Sequence, residues 1–133
     1  MAAMLVIIAV LCLVLIFHED KGSGNIVKIT SGGTLLGTYD TSVITEDIYI
    51  TVIPATSSES AYILEGRHPS EGHYNIIKIS HEGACVTDSD CPTGLCTHAG
   101  LIDSPGIPIA CLPNRLMITV ERKSESDTDA WTY

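Results

Sequence analysis

Seventeen consecutive apolar residues, Met1 to Phe17, precede a polar body, and they constrain the chain more than any other feature. As a helix the run would measure about 25 Å, slightly less than the roughly 30 Å hydrocarbon core of a bilayer and near the lower length limit for a spanning helix. Snorkelling of His18 and Lys21, or a little thinning of the bilayer, closes that gap. A secretory signal peptide fits less well. No Lys or Arg precedes the run, and His18-Glu19-Asp20-Lys21 follows Phe17 at once, where a small-x-small cleavage pattern would stand. Cys12 is preceded by Val10 and Leu11 rather than the small residues of a lipoprotein site. The sequence therefore predicts a transmembrane helix over residues 1–18, with the lipid bilayer as its partner, and a linker over 19–24.

Without that run the remaining 116 residues are about 37% apolar, an ordinary globular composition with room for one domain. Seven Lys and Arg stand against sixteen Asp and Glu, a formal charge of −9, and no basic patch is visible, which excludes nucleic acid as a partner. Charge does not orient the helix, because only Lys21, beside two acids, flanks it downstream. The cysteines do: Cys85, Cys91, Cys96 and Cys111 fall within 27 residues, and an even set in a small domain suits an oxidising compartment. This places the body outside the cytoplasm.

Asn25 to Tyr39 alternates as two strands around a Ser31-Gly32-Gly33 turn, and Glu46 to Ile53 reads as a β-branched strand stopped by Pro54. Tyr74 to Ser80 repeats the pattern, with Ile77 and Ile79 on one face and Ile76 and Lys78 on the other, before His81-Glu82-Gly83 turns the chain into Ala84-Cys85-Val86. Glycines and prolines between 88 and 114 exclude a long helix there, and Leu116 to Val120 is the last apolar strand. No segment after Phe17 has helical periodicity over three turns. The expectation is an all-β small sandwich or barrel over 25–122, with a cysteine-rich block at 85–115 and an acidic, disordered tail at 123–133.

The block reads Asp90-Cys91-Pro92-Thr93-Gly94-Leu95-Cys96-Thr97-His98-Ala99-Gly100, then Ile109-Ala110-Cys111-Leu112-Pro113-Asn114-Arg115-Leu116. Asp-Cys-Pro, a second Cys, a Gly four residues later and the closing Cys-Leu-Pro-Asn-Arg-Leu resemble the NusG domain II family, as does Gly72 to Ile79 before the block. The resemblance spans roughly residues 25–121. It implies a compact β domain outside the cytoplasm, without an established activity, and Cys85 is not part of its pattern.

The residues themselves leave the chemistry of the block open. The loop Pro92 to Leu95 lets Cys91 and Cys96 fold together, and Cys111 is expected to open the next short strand, so a stabilising disulfide is geometrically easy, with three pairings among four cysteines. That reading needs no cofactor. The alternative is zinc or an iron–sulfur cluster held by Cys85, Cys91, Cys96 and Cys111, with His98 able to replace one of them. Cys96-Thr97-His98 is similar to the first ligand box of Rieske proteins, although Asn114 stands where the second box needs His. A cycling disulfide is a third reading, without the Cys-x-x-Cys spacing that lowers a thiol pKa.

Ser104, His98 and Asp103 supply the residue types of a hydrolase triad but lie too close in one loop to converge, so no catalytic residue is assigned. His68, His73 and His81 read as solvated, and Asn114 and Arg115 either as candidate partner contacts or as caps of a strand. The sequence thus favours a non-enzymatic, membrane-anchored interaction domain contacting a larger membrane or envelope assembly. A redox or electron-transfer accessory subunit is the alternative.

Overall fold

Alternation of β-branched and polar residues sorts the strands of the body into two faces. In β1 (Asn25–Ser31) Val27, Ile29 and Ser31 are buried while their neighbours are half-exposed. In β8 (Leu116–Arg122) Leu116, Ile118 and Val120 turn inward in the same way. β1 pairs antiparallel with β2 (Thr34–Asp40) on one side and β8 on the other, and β7 (Ile109–Cys111) completes a sheet of order β2-β1-β8-β7. The second sheet has the order β4-β3-β5-β6, from β3 (Ile48–Ile53), β4 (Tyr62–Glu65), β5 (Asn75–Ile79) and β6 (Ala84–Ser89), again antiparallel. Two separate sheets make the body a sandwich rather than a barrel. Ile50, Val52, Ile77, Ile79 and Val86 of the second sheet meet Val27, Ile29, Ile109, Ile118 and Val120 of the first in one core.

The computed structural model describes residues 2–17 and 24–123. The predicted hairpin is present: Gly32 and Gly33 have φ of 57° and 83°, and Ser31 pairs with Thr34, so a two-residue turn with both centres left-handed joins β1 to β2. A 3-10 turn, Thr41–Val43, follows β2 and is capped by the Asp40 carboxylate. β4 and the single turn α2 (Leu95–His98) are additions to the sequence reading, and Cys111 closes β7 instead of opening a strand. The outer face of the second sheet is covered where Thr51 Oγ1 donates to the Gly66 carbonyl at 2.8 Å and accepts from the His68 N–H at 2.9 Å. The loop after α2 is fixed to β6 by paired bonds between Ala84 and Ile102 of 3.0 and 2.9 Å. Gly83 permits that approach, because a Cβ there would collide with the Ile102 carbonyl.

The apolar run forms α1 (Ala2–Phe17), and every described side chain from Ala3 to Val14 is exposed. Among the described residues no helix is long and apolar enough to cross a membrane. Sixteen residues reach about 24 Å against a core of roughly 30 Å, which leaves the expected span short. The predicted tail beyond Lys123 and the linker before Gly24 lie outside the described residues.

Candidate functional site

Three of the four body cysteines converge at one end of the sandwich. Cys91 follows β6, Cys96 lies in α2 and Cys111 ends β7, and their sulfur atoms all lie within 4.8 Å of one another. Cys96 and Cys111 are buried and Cys91 is half-buried. Gly94, at φ 63°, takes a left-handed conformation that starts the turn carrying Cys96 inward. Leu112 to Arg115 form the loop between β7 and β8, closed by the Arg115 N–H on the Leu112 carbonyl at 3.2 Å, with Pro113 at the favoured second position of the turn.

Asn114, 1% exposed, holds these pieces together. Its Nδ2 donates to the Tyr74 carbonyl at 3.1 Å, Asn75 Oδ1 at 2.8 Å and Asp90 Oδ1 at 2.9 Å, linking the β7–β8 turn to β5 and to the residue before Cys91. All three partners are acceptors, which fixes the orientation of the amide; its Oδ1 is buried without a partner among the described residues. Asn75 is fixed in turn. With its oxygen occupied by Asn114, its Nδ2 faces Cys96 Sγ at 3.7 Å. The Asp90 carboxylate also accepts from the Tyr74 N–H at 3.1 Å and from His73 Nδ1 at 2.8 Å. Burial pushes its pKa up, but the bonds from Asn114, Tyr74 and His73 outweigh this and hold it below the usual carboxylate range.

The three thiols differ. A hydrogen bond with Thr93 Oγ1, at 3.2 Å, and the N–H groups of Thr93 and Gly94 draw the Cys91 pKa down to about 7. Burial pushes Cys111 the other way, up to about 11, against the bonds it receives from Asn75 and the Asn114 N–H. Ser89 Oγ accepts from the Cys91 N–H at 3.1 Å, which leaves its hydrogen for Cys96 Sγ at 3.2 Å. Above the sulfurs is an apolar cleft of about 380 Å³, lined by Leu95, Ala110, Leu112 and Pro113 with the cysteines and Thr93.

The other candidates fall elsewhere. Cys85 points away from the core because Ala84 and Val86 on either side point into it, and it pairs across the sheet with Lys78, which is bridged to Asp47 at 2.9 Å. Burial and Asp47 raise the Cys85 pKa, Lys78 opposing them. A four-cysteine site is therefore not assembled. His98 is exposed, with Nδ1 2.6 Å from the Gly94 carbonyl. On a helical turn residues two apart point roughly 200° apart, so Cys96 enters the core while His98 leaves it, and the Rieske-like box does not form. Asn114 is a clamp and not a surface contact, whereas Arg115 is exposed, at φ 53°, with no salt bridge among the described residues. Ser104 Oγ donates to Asp103 Oδ1 at 3.1 Å and His98 is engaged elsewhere, so no hydrolase triad exists there. Of the histidines read as solvated, His68 and His81 bond main-chain carbonyls and His73 bonds Asp90. Asn75, Ser89 and Thr93, which supply donors to the sulfurs, carry no sequence signal of that role.

Among solved structures the fold is similar to a DUF1312 family protein from Enterococcus faecalis V583, at 24% identity and a TM-score of 0.57, covering 75% of this chain and 99% of that one. It is also similar to a DUF1312 family protein from Ruminococcus gnavus ATCC 29149, at 25% identity and a TM-score of 0.50, over 73% and 97% of the two chains. The Lin0431 protein from Listeria innocua, in its solution structure, gives 13% identity and a TM-score of 0.61 over 80% and 81%. No curated protein matches the chain. The family model for NusG domain II matches residues 1–124, through the Cys-Leu-Pro-Asn-Arg turn and both sheets, and the chain belongs to the NusG domain II family.

Proposed function

We propose that the protein is a non-enzymatic, membrane-tethered interaction domain, with its β-sandwich outside the cytoplasm and docked to a larger membrane or envelope assembly. The observation that carries this reading is α1. Met4, Leu5, Val6, Ile7, Leu11 and Leu13 are each more than half exposed, and apolar residues occupy every face of the helix. Such a helix is stable in lipid or against other apolar helices, not in water. Its shortness favours packing against partner helices or a locally thinned bilayer. A second apolar surface lies on the sandwich, where Leu95 and Leu112, which line the cysteine cleft, are 70% and 84% exposed.

Flotation with phospholipid vesicles tests the tether. The full chain floats with the vesicles, and Leu11→Arg, which costs roughly 3 kcal/mol at the centre of an inserted helix, lowers the floating fraction without changing the β-sheet circular dichroism. A full chain that stays with the soluble fraction overturns the reading. The side is tested with Ser57→Cys, in an exposed loop, which an impermeant maleimide should label on intact cells.

The redox alternative is favoured by the meeting of Cys91, Cys96 and Cys111. With Cys85 turned outward, this chain offers three thiolates at that end rather than the four of an all-cysteine cluster.

A further inference from the structure

We propose that Cys91, Cys96 and Cys111 form a three-thiolate site for a single thiophilic metal ion, zinc(II), whose fourth coordination position opens into the apolar cleft. The inference goes beyond membrane tethering and does not depend on it.

The geometry sets the size of the guest. Thiolates around tetrahedral zinc, at about 2.3 Å from the metal, sit about 3.8 Å apart, so sulfurs already within 4.8 Å need to close by about 1 Å at most. A triangle this tight surrounds one ion, whereas an iron–sulfur cluster spreads its thiolates over different iron atoms. The donor set selects the class of metal. All three ligands are soft sulfur, and Asp90, next in sequence to Cys91, is already held by Asn114, Tyr74 and His73, so no hard oxygen ligand is offered to calcium or magnesium.

Hydrogen-bonding groups surround the sulfurs. Thr93 Oγ1 lies 3.2 Å from Cys91 Sγ, and Ser89 Oγ and Asn75 Nδ2 lie 3.2 and 3.7 Å from Cys96 Sγ, so hydroxyl and amide groups able to donate are in reach of two of the three sulfurs. Donors of this kind orient metal thiolates and offset their charge. Binding balances as three thiols plus Zn²⁺ giving a tris-thiolate complex of charge −1 and three protons, so affinity rises with pH. The fourth position, beneath Leu95 and Leu112, takes water or an exchangeable ligand.

The test uses the full chain in detergent, purified anaerobically and titrated with zinc chloride against a chromophoric chelator of micromolar affinity. One zinc per chain is expected. Iodoacetamide followed by peptide mass mapping should then show Cys91, Cys96 and Cys111 protected only when zinc is present, with Cys85 alkylated either way. Cobalt(II) in place of zinc should give intense sulfur-to-metal charge-transfer absorption. Cys85→Ser should bind as the parent does, and Ser89→Ala, which removes one donor to sulfur, should bind about 10-fold more weakly. The protection measurement needs no variant, so a folding failure of Cys96→Ser or Cys111→Ser does not rescue or sink the idea. Three results overturn it: no zinc retained against the chelator, protection that includes Cys85 in place of one of the three, or a disulfide joining two of them in the anaerobically isolated protein.

Discussion

The middle of the sandwich and its cysteine end are held together by different physics. In the middle, β1, β3, β5 and β8 supply isoleucines and valines at alternate positions, and the contact between sheets is apolar and repetitive. At the cysteine end strand alternation places only Cys111, turned inward with Ile109 in β7. There, a buried amide network from Asn114 ties the β7–β8 turn to the start of β5 and to the residue before Cys91, beside a cleft that the sulfur atoms line. The first arrangement stores stability in volume and tolerates local change as a loss of packing. The second depends on a few polar groups, each with a fixed orientation, and a single deletion there should alter chemistry as well as stability.

The largest effect is expected in the middle. Ile29→Ala or Ile77→Ala removes a side chain that is 0% exposed and should cost about 2 to 5 kcal/mol in denaturant unfolding. The variant that still folds should keep parental alkylation kinetics at Cys91, because the lost volume lies in the apolar core. If Cys91 reactivity changed in step with stability, the two regions would be one cooperative network and the contrast would fail.

Asn114→Ala comes next. It leaves Asn75 Oδ1 and one Asp90 oxygen short of a donor and should cost about 1 to 3 kcal/mol. Unlike the isoleucine variants, it should also move the thiols, releasing Asn75 from its orientation toward Cys96. Peptide mapping after alkylation under native conditions should show faster labelling of Cys96 and Cys111.

This contrast also governs what could be read from the chain alone. The hairpin at Gly32-Gly33 and the strands at 48–53, 75–79 and 116–122 follow from alternation and turn chemistry, which are local, so they were legible. β4 was not, since in Tyr62-Ile63-Leu64-Glu65 only Ile63 is less than exposed and no apolar alternation marks the edge strand. The cysteines were legible as a block but not as a set. Excluding Cys85 required knowing which face of β6 meets the core, and excluding His98 required knowing that residues 95–98 are helical. Asn114 after Pro113 reads as a partner contact or a strand cap, and nothing local marks it as buried. Its burial arises from Tyr74, Asn75 and Asp90, between 24 and 40 residues away in sequence.

A smaller effect should separate the thiols of the metal-free chain by pH. Cys91, with its pKa drawn to about 7, should alkylate with a rate that rises through neutral pH, while burial holds Cys111 protonated until well above pH 9. The two thiols have opposite signs for stability: Cys91, depressed, contributes stability above about pH 9 that is lost as pH falls through about 7, whereas Cys111, raised, contributes stability below about pH 9 that is lost as pH rises through about 11. Thr93→Ala removes the largest cause of the shift and should move the alkylation midpoint upward. An unchanged midpoint would mean that the backbone N–H groups of Thr93 and Gly94 are sufficient.

The smallest effect belongs to the rim of the first sheet, where Lys123 Nζ meets Asp40 Oδ2 at 2.6 Å. Lys123→Met should change stability at neutral pH by no more than about 1 kcal/mol, because a solvated pair gains little against the entropy of holding two long side chains. Its signature is in acid. The bond from Lys123, followed by those from Ser42, holds the Asp40 carboxyl at about 2, so its contribution is complete above the unfolded value near 3.8 and is lost as pH falls toward 2. In the variant the Asp40 pKa moves back toward its ordinary value and this acid-dependent contribution shrinks, so Tm measured from pH 6 to pH 2 should converge with that of the parent at the acid end. The Cys91 alkylation midpoint should not move. A shift there would show that the rim of one sheet communicates with the cysteine end, which the division into a packed middle and a polar, clamped end does not allow.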